Sequence, residues 1–271
     1  MRQSIDIAGL GLLLDVQGEA LRVAGHYQDA APELAIAMEL HVRVEADFAE
    51  GRQAAADFPA FQVEAVSDNC VKLSRYDAEG TIHFADGEPL RADFVVAPRE
   101  VALEALLRIL SSYTLLRHGG LVLHSSAIGD DQGAHVFSGV SGAGKSTIAA
   151  LLRDYWPVEQ LSDELLILRR GPEKWELIVS PFLGSKGLAH GKRKTLSSIN
   201  FLSQADENRR TELRPAQAMS AMCRHILSYA QDPKSGELIL ELVMQLVSEV
   251  PCYDLDFLKD ASVGQVLDLA C

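Results

Sequence analysis

The sequence predicts a mixed α/β (α+β) protein: a β-rich N-terminal domain, residues 1–97, followed by a domain, residues 98–271, with a mixed sheet and flanking helices. Three observations carry this expectation. Apolar and polar residues alternate through much of the first hundred positions, the apolar period lengthens to helical spacing after Pro98, and short apolar runs and helical stripes then flank a glycine-rich loop at 139–147.

The clearest early strand is Ile36 to Val44, where Ile36, Met38, Leu40, Val42 and Val44 alternate with Ala37, Glu39, His41 and Arg43. Shorter runs follow at Phe61 to Val66, Val71 to Tyr76, Ile82 to Phe84 and Phe94 to Val96. Asp77-Ala78-Glu79-Gly80 and Asp86-Gly87 read as hairpin turns between them. After Pro98, Leu103, Leu106, Leu107, Leu110 and Tyr113 fall on one helix face until Gly119-Gly120 stops it. A strand from Leu121 to Ile128, a turn at Gly129 to Gly133 and a second strand then lead as a hairpin into the glycine loop. Beyond it, Leu165 to Leu168, Trp175 to Val179 and Ile199 to Leu202 read as strands. Met219, Met222, Cys223, Ile226 and Leu227 trace one helix face, and Leu238, Ile239, Leu242, Val243, Leu246 and Val247 trace another. Tyr253, Leu255 and Phe257 form a closing strand.

Bulk properties narrow the function classes. A chain of 271 residues with 48% hydrophobic content can bury a large core. Its net charge of −13 argues against nucleic acid and against an anionic membrane surface as partners, and favours a protein, peptide or small molecule. No run approaches the roughly 18 apolar residues of a membrane helix, and the N-terminus does not read as a secretion signal, so a cytoplasmic location is expected. Cys70, Cys223, Cys252 and Cys271 are scattered and suggest neither zinc nor a disulfide framework.

The glycine loop reads Gly139-Val140-Ser141-Gly142-Ala143-Gly144-Lys145-Ser146-Thr147, the complete pattern of a phosphate-binding loop. Glycines let main-chain N–H groups turn inward, and the helix that follows adds the positive end of its dipole. Lys145 is expected to reach the outer phosphates of a nucleotide, and the Ser146 hydroxyl to complete the shell of a Mg2+ ion. A phosphotransferase also needs carboxylates for the metal and for the acceptor's proton. Asp163-Glu164 follows Lys145 by 18 residues and precedes the apolar run Leu165 to Leu168, whereas common phosphate-loop proteins place the metal aspartate after such a run. His124, in the strand before the loop, reads by itself as a hydrogen-bonded core histidine.

Taken together, Leu123-His124-Ser125-Ser126-Ala127, the hairpin, Gly139 to Ser146 and Leu161-Ser162-Asp163-Glu164 resemble bacterial HPr kinase/phosphorylase, and more distantly phosphoenolpyruvate carboxykinase. The resemblance covers Leu121 to Leu168 and beyond that only the order of elements. It implies an HPr-kinase-like P-loop domain that uses ATP and Mg2+. It also implies that Asp163 takes the proton of a serine hydroxyl, that His124 lies near the transferred phosphate, and that Glu164 and Ser146 hold the metal. Ser125 stands where the family has glycine, and Glu164 where it has a second aspartate. The Glu-x-Arg-Gly-x-Gly stretch used for HPr and for phosphate removal has no counterpart in Ser180-Pro181-Phe182-Leu183-Gly184-Ser185-Lys186, which removes the basis for assigning HPr as acceptor or phosphorylase activity. Within the wider family the chain is most similar to HPr-kinase-like proteins found beside peptide-modification enzymes, such as lasso-peptide precursor kinases. The implied acceptor is then a peptide or protein serine, and since such relatives form rings, a homo-oligomer is among the implied states. A nucleotide-binding scaffold without turnover, or a small-molecule kinase or carboxykinase-like enzyme, fits the same loop. The basic island Lys186, His190, Lys192, Arg193 and Lys194 either serves phosphates or an acidic peptide, or is a solvated loop.

Overall fold

The computed structural model describes residues 1–18, 21, 27–52, 60–182, 190–226 and 232–269. The protein is mixed α/β with two sheet-rich regions and few helices. It divides into two compact units, Met1–His118 with Ser228–Glu237, and Gly119–Leu227 with Leu238–Cys271.

The first unit is built on an eight-stranded sheet. Its strands are β1 (Arg2–Ile7), β2 (Leu10–Gly18), β3 (Gln28–Asp29), β4 (Ile36–Val44), β5 (Gln62–Ser67), β6 (Cys70–Arg75), β7 (Ala78–His83) and β8 (Leu90–Val96), in the order β3-β1-β2-β4-β8-β7-β6-β5. The hairpin β1–β2 turns through Ala8 and Gly9, both at positive φ, with the Asp6 carboxylate accepting the Gly9 N–H at 2.6 Å. In β4 the alternation holds from Met38 onward: Met38, Leu40, Val42 and Val44 are buried while His41 and Arg43 are exposed, whereas at its start Ala37 is buried and Ile36 half-buried. Helix α1 (Glu100–Arg117) contributes Leu103, Leu106, Leu107, Leu110 and Tyr113 to the core. Its Thr114 hydroxyl meets the Met38 sulfur at 3.4 Å, which sets the helix against the sheet. Each such side chain taken from water is worth roughly 1.5–3 kcal/mol.

One turn falls earlier than the sequence suggests. Ala78, Glu79 and Gly80 belong to β7, because the Asp77 carboxylate is gripped by Arg75 at 2.6 and 3.1 Å and closes a two-residue turn at Tyr76-Asp77. The β1–β2 hairpin was not legible, its apolar run Leu10-Gly11-Leu12-Leu13-Leu14 showing no alternation.

The second unit contains β9 (Gly120–His124), β10 (Ser126–Gly129), β11 (Ala134–Ser138), α2 (Lys145–Tyr155), β12 (Glu159–Ser162), β13 (Leu165–Arg170), β14 (Trp175–Val179), β15 (Arg193–Gln204), β16 (Arg209–Glu212), α3 (Pro215–Cys223), α4 (Pro233–Glu249, whose first turn is counted with the first unit), β17 (Cys252–Phe257) and α5 (Val263–Val266). The sheet runs β12-β10-β11-β15-β14-β13-β9, with β17 beside β15 and β16 beside β17. Strands β11, β15 and β17 are mutually parallel. On one face, Phe137, Leu202, Leu255 and Phe257 pack with Ile148, Ala149 and Leu152 of α2 and Val263 of α5.

The expected strand Leu121 to Ile128 is two strands. Ser125 interrupts it: its backbone N–H goes to the Glu164 carbonyl at 2.9 Å, so β9 pairs with β13 whereas β10 pairs with β11 and β12. The run Ile199 to Leu202 is the middle of a twelve-residue strand that begins at Arg193. The stripe Met219 to Leu227 is helical only to Cys223; Ile226 bridges to Leu123 and Leu227 lies outside the described residues. Among the described cysteines, Cys70, Cys223 and Cys252 are free thiols, and burial pushes the Cys252 thiol up to about 12. No helix among the described residues is long and apolar enough to cross a membrane.

Gly80 tests the close approach of β7 to β8. A methyl group there would lie 2.1 Å from the Asp93 carbonyl oxygen and 2.5 Å from the Phe94 ring. Gly80→Ala is expected to lower stability to urea by about 1–3 kcal/mol; an unchanged midpoint would contradict this packing.

Candidate functional site

The loop from Gly139 to Gly144 connects β11 to α2. Two of its glycines are demanded by conformation: Gly142 has φ of 81° and Gly144 of 104°, and a side chain on Gly144 would meet the Phe257 ring at 3.0 Å. Val140, Ser141, Gly142, Ser146 and Thr147 are exposed, whereas Gly139, Ala143 and Lys145 are buried. The Lys145 side chain folds over its own loop, donating to the carbonyls of Gly139 at 2.9 Å and Val140 at 3.2 Å. Burial holds its ammonium below the ordinary lysine value. From one side, the Ser126 hydroxyl donates to the Lys145 carbonyl at 2.6 Å; from another, the Gln204 amide donates to the Gly142 carbonyl at 2.6 Å. The first turn of α2 therefore points its N–H groups and dipole at an exposed rim of small residues around a buried cation, which suits an anion.

Topology brings the remaining candidates to the same sheet edge. Strand β12 is antiparallel to β10, which is antiparallel to β11, so the ends of β11 and β12 lead respectively into the loop and into Asp163-Glu164. His124, the exposed last residue of β9, is registered opposite Leu165, and Ser126 of the adjoining β10 holds Lys145. Asp163 and Glu164 are half-buried. The Asp163 Oδ1 atom is buried and has no hydrogen-bond partner among the described residues. Such an orphaned acceptor is costly unless a ligand, proton or ion completes it. Beneath the edge lie four buried serines: Ser125 donates to Ser138 at 3.0 Å, Ser126 to Lys145, and Ser162 to the Leu165 carbonyl at 3.0 Å.

Comparison with models of known families and with curated proteins returns no match. The chemistry of the site rests on its own residues.

Magnesium takes oxygen ligands, keeps several waters and needs only one or two protein groups beside phosphate oxygens. The exposed Ser146 hydroxyl and the half-buried Glu164 carboxylate are oxygen donors of that kind, and the orphaned Asp163 oxygen stands next to Glu164 in the chain. No cluster of three or more His, Cys, Asp or Glu suited to a metal occurs among the described residues.

His225 gave no signal in the sequence, where it lies between Cys223 and Ile226 of an apolar stripe without belonging to it. It stacks on Phe201 with ring centroids 5.7 Å apart, and its imidazole is held below the usual value first by burial and then by the positive charges of Arg224 and Lys145. The basic island is mostly spent on neighbours. Lys192 and Lys194 both pair with Glu159, the latter at 3.5 Å, and Arg193 pairs with Glu176 at 3.4 Å. Arg193 and Lys194 are strand residues of β15, not loop; His190 contacts the Ser180 carbonyl at 2.7 Å, and Lys186 lies outside the described residues. In the first unit, the outer face of the sheet carries a groove of about 800 Å³ lined by Phe48, Arg52, Lys72, Glu79, Asp93 and others. Its charges largely neutralise one another, Glu79 taking Arg52 at 3.2 Å and Lys72 at 2.9 Å.

A buried polar line crosses the strand that feeds the loop. His135 sits between Ser198 Oγ at 2.9 Å and the Asp130 carboxylate at 3.3 Å; Asn200 donates to Ser198, and Arg210 donates to Asn200 at 2.9 Å while lying 3.6 Å over the Tyr253 ring. Burial lowers the His135 pKa, partly offset by Asp130. Because the folded state resists protonation, the stability tied to His135 is complete above about pH 6.5, the ordinary histidine value, and is lost as pH falls through the lowered value. His135→Gln is expected to flatten the decline in unfolding free energy as pH falls below about 6.5. Equal slopes in the two proteins would remove His135 from this role.

Proposed function

We propose that the second unit is an HPr-kinase-like P-loop domain that transfers the γ-phosphoryl group of ATP to a hydroxyl, the serine of a peptide or protein. The observation that carries the reading is the orphaned, buried oxygen of Asp163 on the sheet edge that also bears the loop and Lys145. Phosphoryl transfer asks for positioning and charge neutralisation more than for covalent chemistry. The loop's N–H groups and the helix dipole hold the phosphates, and Lys145 exchanges the carbonyls of Gly139 and Val140 for phosphate oxygens. Asp163 accepts the proton of the attacking hydroxyl as its oxygen bonds to the γ-phosphorus and the bond to the ADP oxygen breaks. Ser146, with Glu164, would hold magnesium, which when bound would neutralise charge on the phosphate oxygens. His124 and His225 flank the cradle and supply hydrogen bonds to the transferred group. The first unit offers a face for recognising the acceptor or a partner, and an ATP-dependent enzyme of this kind works in the cytoplasm.

Asp163→Asn is expected to bind Mg-ATP as the wild type does and to lose phosphate transfer by at least a hundredfold, whereas Lys145→Met loses binding itself. Mass spectrometry of peptide pools incubated with protein and Mg-ATP reads the transfer, and calorimetry reads the binding. Undiminished transfer by Asp163→Asn would sink the kinase assignment, and binding with no transfer to any peptide or metabolite would leave a nucleotide-binding scaffold.

A further inference from the structure

The groove of about 800 Å³ on the first unit's sheet is built on two adjacent rows of residues that cross the strands. In one row Arg43 of β4, Val95 of β8 and Glu79 of β7 are registered side by side; in the next, Asp93 of β8, Thr81 of β7 and Lys72 of β6. Neighbours within a row stand about 4.8 Å apart, the spacing of paired strands. The turn that follows β4 adds Phe48 and Arg52 to the lining.

Glu79 is saturated: one carboxylate oxygen takes Lys72 at 2.9 Å and the other takes Arg52 at 3.2 Å. The Arg52 guanidinium also lies 4.1 Å from the centroid of the Phe48 ring, so its plane is fixed by a stacked face and a bonded edge. Its side chain spends one of five N–H donors on Glu79, and Lys72 one of three, leaving the others open among the described residues. Arg43 is engaged by Glu45 at 2.7 Å. Asp93 has no ion pair among the described residues and stands across Thr81 from Lys72, about 10 Å away by strand spacing. Arg43, Arg52 and Lys72 thus face only two carboxylates in a chain whose net charge is −13. The spare donors collect at the Arg52 end, beside the half-buried apolar surface of Phe48 and Val95.

We infer that this groove binds an extended peptide through an acidic side chain, whose carboxylate takes the open donors of Arg52 and Lys72 while a neighbouring apolar residue covers Phe48 and Val95. A planar carboxylate matches the fork of a guanidinium already held in place. Asp93 repels that carboxylate from the far end and so fixes where it sits. The lining runs from Gln17 of β2 to Lys72 of β6, four strand spacings or about 19 Å, which is the reach of five or six extended residues. A free amino acid would fill only a part of it. The site needs no nucleotide, so its test is separate from that of the phosphate loop.

Amide NMR of the full chain without nucleotide follows the binding of three terminally blocked hexapeptides, Ala-Ala-Leu-Glu-Ala-Ala and its Gln and Lys counterparts, with free glutamate alongside. The Glu peptide is expected to shift the amides of Arg52, Thr81 and Val95 and to bind about tenfold or more tightly than the Gln peptide. The Lys peptide should bind more weakly still, and glutamate more weakly than the Glu peptide. Arg52→Gln is expected to bring the Glu peptide to the affinity of the Gln peptide at an unchanged melting temperature, and Lys72→Gln to weaken it several-fold. Equal affinity for the Glu and Gln peptides, or no shift of those three amides at millimolar Glu peptide, would overturn the site. So would undiminished binding by both variants. A preference for the Lys peptide would give the groove to a cation on Asp93 instead, and glutamate binding as tightly as the Glu peptide would remove the peptide as occupant.

Discussion

Twelve residues of β15 hold three neighbours at once. Residues 193–195 pair with β14, 196–201 with β11, and 199–204 with β17, so the parallel and antiparallel parts of the second sheet meet in this strand. A strand covered on both faces must be apolar throughout or must satisfy each polar group it buries. Ile199, Phe201 and Leu202 meet the first condition, and Ser198 and Asn200 the second, through His135, the Val136 carbonyl and Arg210. Without that internal accounting β15 could not lie between β11 and β17, and the loop would lose the two strands against which its glycines pack.

From this strand outward, the site follows from where chains must part. Ser125 gives its N–H to Glu164, and the chain passes at that residue from the β9–β13 pairing to the β10–β11 pairing. Small hydroxyl side chains suit such a crossing, because each can donate to a carbonyl or to another hydroxyl within a space too tight for larger groups. Ser125, Ser126, Ser138 and Ser162 all do so or receive such a bond, and one of these bonds lands on the carbonyl of Lys145 at the end of the glycine loop. Packing and chemistry are thus set by the same few residues.

Much of this was legible in the residues. The alternation in β4, the α1 stripe and the strict glycine spacing each report a local rule, and local rules need no tertiary context. What escaped depended on partners distant in sequence. The uniform apolar run at Leu10 to Leu14 carries no period; the turn at Asp77 is decided by Arg75; and the break at Ser125 is decided by Glu164, 39 residues away. Of the candidate site, the loop and the acidic pair announced themselves by spacing, whereas His225 and Gln204 gave no signal because their surroundings are assembled only by the fold. The role of the basic island stayed open in the sequence for the same reason: Glu159 and Glu176 pair with it from other strands.

Lys145 is already desolvated and already hydrogen-bonded to its own loop. Under the proposed reading, an incoming phosphate has to displace the Gly139 and Val140 carbonyls from an ammonium that is already partly withdrawn from water. The affinity of that complex would then turn on how well the phosphate oxygens outcompete those two carbonyls. An anion that bonds the lysine more weakly than the carbonyls do would be released quickly, so the proposed site would discriminate between anions by residence time.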